Sequence, residues 1–377
     1  MVICFTVDAG AKIALDNLIN SGMYKDMSEV ICVSLINHDI IQREAHHNGT
    51  LQITRADLLD ERSSFVQGSG LERPHVIAPD ATARKRSIPD IFRLPHANVA
   101  ADEFPVVADD IDADSLTSPK QWLFGQYNKL LPIKATLRAL VNLCSRDRHG
   151  VPVTEAVRKI SSEALMLGDY LEELDAQRGA SRENGLATAF PTASGSGSPG
   201  QSRFANQFVI SVSADGTATG FPIALRLAAY SNGKTPRLNL SRQGAAFALL
   251  ENPVLDRALG AEQDKFSSAE LSFLISHILT YVPEERVAFK IVLGALSKGA
   301  TTPKALDAFL YKNNGDRSMT AAFLSLQRSG VIARLVDLQL VERAREGTRV
   351  NYVITESGKD TLAKLSADKA ESSRRSR

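Results

Sequence analysis

The stretch Gln327–Leu365 constrains the fold most, because it reads as an apolar helix, two short strands and a further helix. Gly347 lies between the strands, where a tight hairpin turn needs a positive φ. From Val350 to Ile354, every second residue is large and apolar or aromatic, as in a half-buried strand. Thr355 follows at a position where its hydroxyl can cap the next helix.

This order of elements resembles a winged helix-turn-helix domain, most closely the MarR-like type. The matching residues are Arg334, Leu335, Leu338, Leu340 to Arg343, Gly347, Tyr352, Ile354, Thr355 and Gly358. The resemblance implies a recognition helix in the major groove of DNA and a hairpin on the neighbouring phosphates. It predicts such a domain over residues 262–366, followed by a disordered basic tail at 367–377. A winged helix that binds protein instead of DNA is the alternative.

Candidate DNA contacts follow from this resemblance. Arg343, Arg345 and Arg349 cluster on the predicted hairpin and are the expected phosphate contacts. If Gly330 divides the preceding helix, the candidate base readers are Gln327, Arg328 and Arg334, since Gln suits adenine and Arg suits guanine. If one helix runs through instead, Arg317, Ser318 and Thr320 join them. Arg334 is also placed to hold the helix to the hairpin.

The first 45 residues form a second recognisable segment. A short β-rich stretch precedes two short helical patterns, which cannot bury a core by themselves. This order resembles the ribbon-helix-helix dimers, on Ile3 to Val7, Leu15, Leu18, Gly22, Ser28, Glu29, Ile31 and Leu35. The resemblance implies a homodimer formed through the strand and helices, with Val2, Cys4 and Thr6 towards the groove and Ser28 on a phosphate. Val2 and Cys4 offer bases almost no hydrogen bonds, so dimerisation is better supported than base reading.

Between these segments the sequence predicts a partly disordered linker at 46–118 and a winged-helix-like domain with a long wing at 119–256. The second domain is inferred because Leu240-Ser241-x-x-Gly244 repeats the pattern Ile354-Thr355-x-x-Gly358. Within it we expect separate helices from Thr154 and from Ser162, and a strand over residues 208–212. Gly195-x-Gly197-x-x-Gly200 matches a dinucleotide fingerprint, but Pro199 interrupts it and β-type residues follow where a helix is needed, so a flexible loop is the better interpretation.

Composition limits the function. The net charge of +1 over 377 residues excludes a uniformly basic coat, so any DNA contact must come from local patches. The three cysteines are far apart, no apolar run is long enough to cross a membrane, and no set of residues indicates a metal, a cofactor or catalysis.

The sequence therefore predicts an α+β, mainly helical protein with a ribbon-helix-helix-like dimerisation segment and tandem winged helix-turn-helix domains. Its expected function is non-enzymatic, sequence-specific binding of double-stranded DNA as a homodimeric transcriptional regulator in the cytoplasm, associated with the nucleoid. A plasmid replication or partition initiator and a protein-interaction scaffold are the alternatives.

Overall fold

The computed structural model describes residues 87–95, 99–106, 116, 118–144, 149–180, 184–193, 197–256, 264–313, 319–347 and 349–375. These residues belong to one compact unit, which runs from Ala81 to Arg377. The chain is α+β and mainly helical, as the sequence predicts. The predicted dimerisation segment, with Thr6 and Ser28, lies outside the described residues, as does most of the predicted linker.

The middle module, residues 118–256, combines five helices with two small sheets in its described part. Its helices are α1 (Leu131–Cys144), α2 (Val153–Gln177), α3 (Gly197–Phe204), α4 (Phe221–Ala224) and α5 (Arg242–Leu249). Its strands are β1 (Val151–Pro152), β2 (Ser211–Val212), β3 (Ala218–Thr219), β4 (Ala228–Ser231) and β5 (Arg237–Leu240). The antiparallel sheet has the order β1-β5-β4, and β2 pairs with β3 as a separate hairpin.

Three predictions for this module are wrong. One helix, α2, covers the region where separate helices from Thr154 and Ser162 were expected, because nothing in its sequence breaks the helical repeat. The expected strand over residues 208–212 is instead a π-helical turn up to Val209, followed by the two residues of β2. The presumed flexible loop contains the start of α3, where Pro199 is tolerated because the first helical turn has no intrahelical acceptor for its N–H.

The C-terminal module, residues 264–375, continues the chain with helices and one long hairpin. Its helices are α6 (Ser268–Tyr281), α7 (Pro283–Ser297), α8 (Pro303–Asn313), α9 (Ala321–Asp337) and α10 (Glu356–Arg375). Its strands are β6 (Val341–Glu346) and β7 (Arg349–Ile354). Gly330 does not divide α9, which begins after the Thr320 cap and is continuous. Among the described residues, no helix combines the length and the apolar character needed to cross a bilayer.

The two modules repeat one connection between a helix and a hairpin. Arg226 follows α4 and Gln339 follows α9, and each has a φ of 57° although neither is a glycine. In the middle module, the Leu227 N–H returns to a carbonyl five residues back, 2.9 Å away. The Leu340 N–H makes the same bond at the same distance in the C-terminal module. Both helices therefore end in the same left-handed turn before the first strand of a hairpin.

The end of each hairpin is repeated as well. The Ser241 hydroxyl accepts the N–H of Gly244 at 2.9 Å and donates to the carbonyl of the left-handed residue at 2.8 Å. Thr355 does the same with Gly358 at 3.0 Å, and with its own left-handed residue at 2.8 Å. A Cβ on Gly244 would lie 1.7 Å from the Leu227 carbonyl oxygen, and one on Gly358 would lie 2.1 Å from that of Leu340. The pattern detected in the sequence thus corresponds to the same hydroxyl cap and the same close glycine approach in both modules.

A third extended segment joins each hairpin. In the middle module this segment is β1, which pairs with β5. In the C-terminal module the Tyr352 N–H donates to the Thr301 carbonyl at 2.7 Å. A glycine with positive φ precedes each segment, Gly150 at 92° and Gly299 at 90°. The order of helix, extended segment, helices and hairpin is therefore common to both modules.

Buried ion pairs fasten the modules to each other within one continuous core. Lys134 of α1 lies 2.8 Å from Glu270 of α6, and neither side chain is exposed. Burial lowers the pKa of Lys134 to about 8, and the Glu270 carboxylate opposes that shift. Arg226 forms a two-pronged pair with Glu284 at 3.0 Å for both contacts. Such pairs tolerate little misalignment, so they fix how the modules are oriented.

We expect Gly244→Ala and Gly358→Ala each to lower the free energy of unfolding by about 1–3 kcal/mol, because the added Cβ meets a backbone carbonyl. Gly294→Ala in α7 is the control, since nothing lies within 4 Å of its Cβ position. It should leave stability unchanged or raise it by up to about 1 kcal/mol, because Ala favours helix. Urea unfolding measures all three, and equal midpoints would contradict the structural role of the two glycines.

Candidate nucleic-acid interface

The hairpin of β6 and β7 presents the three arginines predicted to hold phosphates. Its base is buried at Val341 and Tyr352, whereas Arg343, Arg345 and Arg349 are exposed. The register sets Arg343 opposite Tyr352 and Arg345 opposite Val350, so these two arginines share the face that continues the core. Arg349 points to the other face. On that face Arg349 lies in register with Glu346, so each face of the hairpin carries arginine near the tip, and one face also carries an acidic residue.

The base of this hairpin is anchored by a polar cluster. Arg328 pairs with Asp307 of α8 at 2.7 Å, and its Nη1 donates to the Tyr352 hydroxyl at 3.3 Å. A further contact joins Arg328 to the Ser325 hydroxyl at 2.8 Å. Arg328 is only 7% exposed, so the prediction that it reads a base is wrong for this conformation. Its role is to fasten α8 and α9 beneath the hairpin.

Gln327 is also internal. Its amide Nε2 donates to the Pro119 carbonyl at 2.8 Å, and the residue is 1% exposed. The segment that covers it, Ser118–Leu130, is named the strap below. The strap crosses α9 so closely that a Cβ on Gly330 would lie 2.3 Å from the Gly125 carbonyl oxygen. The expected base contact by Gln327 is therefore incompatible with the strap in this position.

Arg334 is buried completely. Its Nε and Nη2 bind the two carboxylate oxygens of Glu285 at 2.5 and 2.8 Å, and its Nη1 donates to the Tyr127 carbonyl. Burial raises the pKa of Glu285, and the nearby guanidinium opposes this shift. A base contact by Arg334 is incompatible with this burial, and the alternative, that it holds the helix to the hairpin, is wrong because its partners lie elsewhere. Arg334 holds α9 to α7 and to the strap rather than to the hairpin.

The remaining predicted contacts lie at the start of α9 or before it. Thr320 is exposed, and its hydroxyl accepts the N–H of Phe323 at 3.2 Å, which makes it the N-cap of the helix. Arg317 and Ser318 lie outside the described residues. The most exposed positions within α9 are Ala321, Ala322 and Ser329. In its present packing the helix offers the solvent no long polar side chain with which to read bases.

The equivalent hairpin in the middle module has two basic residues, Lys234 and Arg237, and no acidic one. The repeated registers align Ala228 with Val341 and Leu240 with Ile354. The positions of Arg343, Arg345 and Arg349 then correspond to Tyr230, Asn232 and Thr235, which are uncharged. The middle ladder also ends earlier, at Ser231 and Arg237. Pro236 comes just before Arg237 in the chain, and it has no N–H to donate to a further pair of the ladder.

Neither the strap nor the buried carboxylate of Glu285 was predictable from the sequence. Gly125 approaches a helix some two hundred residues later, and a contact at that separation has no local signature. Glu285 lies on a helix surface by periodicity, and only the tertiary packing buries it. Comparisons of the chain with family models, with curated proteins and with solved structures return no match.

We expect Arg334→Met to lower the free energy of unfolding by about 3–5 kcal/mol, because it leaves the Glu285 carboxylate buried without a counter-charge. Without the guanidinium the pKa of Glu285 rises further, and a carboxyl with a raised folded pKa loses stability as pH increases. The deficit should therefore widen from about pH 5 to pH 8, as measured by urea unfolding. The double variant Arg334→Met/Glu285→Leu should recover most of the loss, and a pH-independent deficit would contradict this account.

Proposed function

We propose that the chain binds double-stranded DNA and acts as a transcriptional regulator, with the hairpin of β6 and β7 on the phosphate backbone. The observation that carries this proposal is the placement of Arg343, Arg345 and Arg349 on an exposed hairpin whose base is locked into the core. A guanidinium matches phosphate oxygens in charge and in hydrogen-bond geometry. Anchoring the base limits the conformational freedom that these arginines would lose on binding.

The order of elements supports the same proposal. Helix α7, the segment at Thr301, helices α8 and α9, and the hairpin follow one another as in a winged helix-turn-helix domain. In such a domain α9 would be the recognition helix. The middle module has a related order with additional elements before β4, so the tandem arrangement remains part of the proposal. The homodimer also remains a proposal, based on the N-terminal resemblance alone.

Phosphate contacts supply affinity without sequence information. The arginine hairpin therefore accounts for DNA binding in general, whereas sequence-specific recognition needs α9 or another part of the chain. With +1 net charge on the whole protein, binding should depend strongly on the local charge of the hairpin. This distinction makes the phosphate contact the part of the proposal to test first.

A replication or partition initiator is the second candidate function. The observation in its favour is the repetition of the same turn, cap and strand register within one compact unit. Two fused modules suit neighbouring segments of repeated DNA sites, whereas a dimeric regulator suits a palindrome. The mass of the complex on DNA with one or with several copies of a selected site distinguishes these arrangements.

We expect the triple variant Arg343→Ala/Arg345→Ala/Arg349→Ala to bind random duplex DNA more weakly than the unmodified chain. Each phosphate contact contributes about 0.9 to the slope of log affinity against log salt, so the slope should become shallower by up to about three. Titrations at several salt concentrations measure both quantities. Circular dichroism should show an unchanged fold, because all three side chains are exposed.

The matched control removes three exposed arginines from the middle module, in Arg158→Ala/Arg178→Ala/Arg203→Ala. It changes the net charge by the same amount and should retain most of the affinity. Equal losses in both triple variants would show that total charge, rather than the hairpin, governs binding. If the unmodified chain binds no duplex even at low salt, the regulator and initiator proposals both fail, and a protein-binding scaffold becomes the better hypothesis.

A further inference from the structure

We propose that the N-terminal part of the strap, Ser118–Gly125, regulates the DNA-binding face by covering the N-terminal half of α9 and by leaving it when a duplex binds. This inference rests on the proposed function. The strap occupies the side of α9 that carries Gln327 and Gly330. While it is docked, the hairpin can hold phosphates but α9 cannot approach base edges.

The contact between strap and helix is backbone against backbone. A Cβ on Gly330 would lie 2.3 Å from the Gly125 oxygen and 2.6 Å from the Gly125 Cα. A Cβ on Gly125 would lie 2.4 Å from the Leu326 carbonyl oxygen. Two glycines at the crossing point allow this approach, and a side chain on either one would push the segments apart. Adding one methyl group at either glycine should therefore displace the strap.

Two buried polar atoms, one in the strap and one in α9, have no hydrogen-bond partner among the described residues. They are Trp122 Nε1 and Gln327 Oε1. Both atoms would regain hydrogen bonds to water if the strap left the helix. Burial of Trp122 and Leu123 favours the docked state, but these two unsatisfied atoms oppose it. The docked and released states should therefore be closer in free energy than the apolar burial alone would imply.

The side chain under the strap is suited to the groove. The amide of Gln327 presents a donor and an acceptor side by side, and this pair matches the major-groove edge of adenine. The strap now holds that amide at the Pro119 carbonyl. Arg334 would remain with Glu285, with the Tyr127 carbonyl in the C-terminal part of the strap, and with Phe221, whose ring centroid lies 5.9 Å from the guanidinium carbon. Release is thus confined to the N-terminal half of α9, and the C-terminal half stays packed.

Trp122 gives the experiment its signal, because it is the single tryptophan of the chain and is 4% exposed in the docked strap. Quenching of its fluorescence by acrylamide is measured on the full chain, with and without random duplex DNA at low salt. We expect the duplex to make Trp122 more accessible to acrylamide. If DNA binds and Trp122 stays as protected as before, the strap remains docked in the complex and the inference is overturned, whereas the proposed function stands.

Gly330→Ala tests the same inference without relying on DNA to release the strap. Its Cβ should displace the strap, raise the accessibility of Trp122 in the free protein and tighten duplex binding. The gain should be roughly tenfold if about a tenth of the unmodified chain is released at equilibrium. Gly294→Ala, a helical glycine with nothing within 4 Å, is the control and should change neither quantity.

The outcomes separate the two hypotheses. Exposure of Trp122 in Gly330→Ala without tighter binding than in Gly294→Ala would overturn the inference, because the uncovered helix would then add nothing to DNA binding. If the unmodified chain binds no DNA, the proposed function fails and the inference fails with it. If Gly330→Ala does not fold, the effect of duplex DNA on the quenching of Trp122 in the unmodified chain still tests the inference.

Discussion

The arrangement of both modules depends on the buried guanidinium of Arg334. Its planar group binds the Glu285 carboxylate on one helix, the Tyr127 carbonyl in the strap and the ring face of Phe221 in the middle module. A charge in this position is stable only while all its partners are in place, because the desolvation cost is large. One side chain therefore couples the orientation of α9 to the path of the strap and to the position of the middle module.

Local chemistry made the ends of the hairpins predictable. The turn at Gly347, the cap at Thr355 and its counterpart at Ser241 each depend on residues adjacent in sequence, and each is present as predicted. The candidate site was predictable only in part. Arg334 and Arg343 lie nine positions apart and look alike in sequence, yet one is buried and the other exposed. The difference comes from Glu285, which lies 49 residues before Arg334, and no local pattern reports a partner at that distance.

The structure divides the DNA-facing features into two kinds. The arginines of the hairpin are exposed, whereas the helix beside them is largely covered. An electrostatic contact formed first would hold the duplex near the helix, and a slower rearrangement would decide whether bases are read. Search and recognition would then be separate steps, carried by separate elements.

The two hairpins share their register at the base but differ at the tip, where the C-terminal ladder continues for two further residue pairs. The middle hairpin has nearly as many residues beyond the shared register, 232–236, but these form a loop instead of a ladder. The added pairing lies outside the packed base, so it can vary with little effect on folding. The two tips thus differ in backbone order rather than in length, and the C-terminal ladder holds its arginines on paired strands.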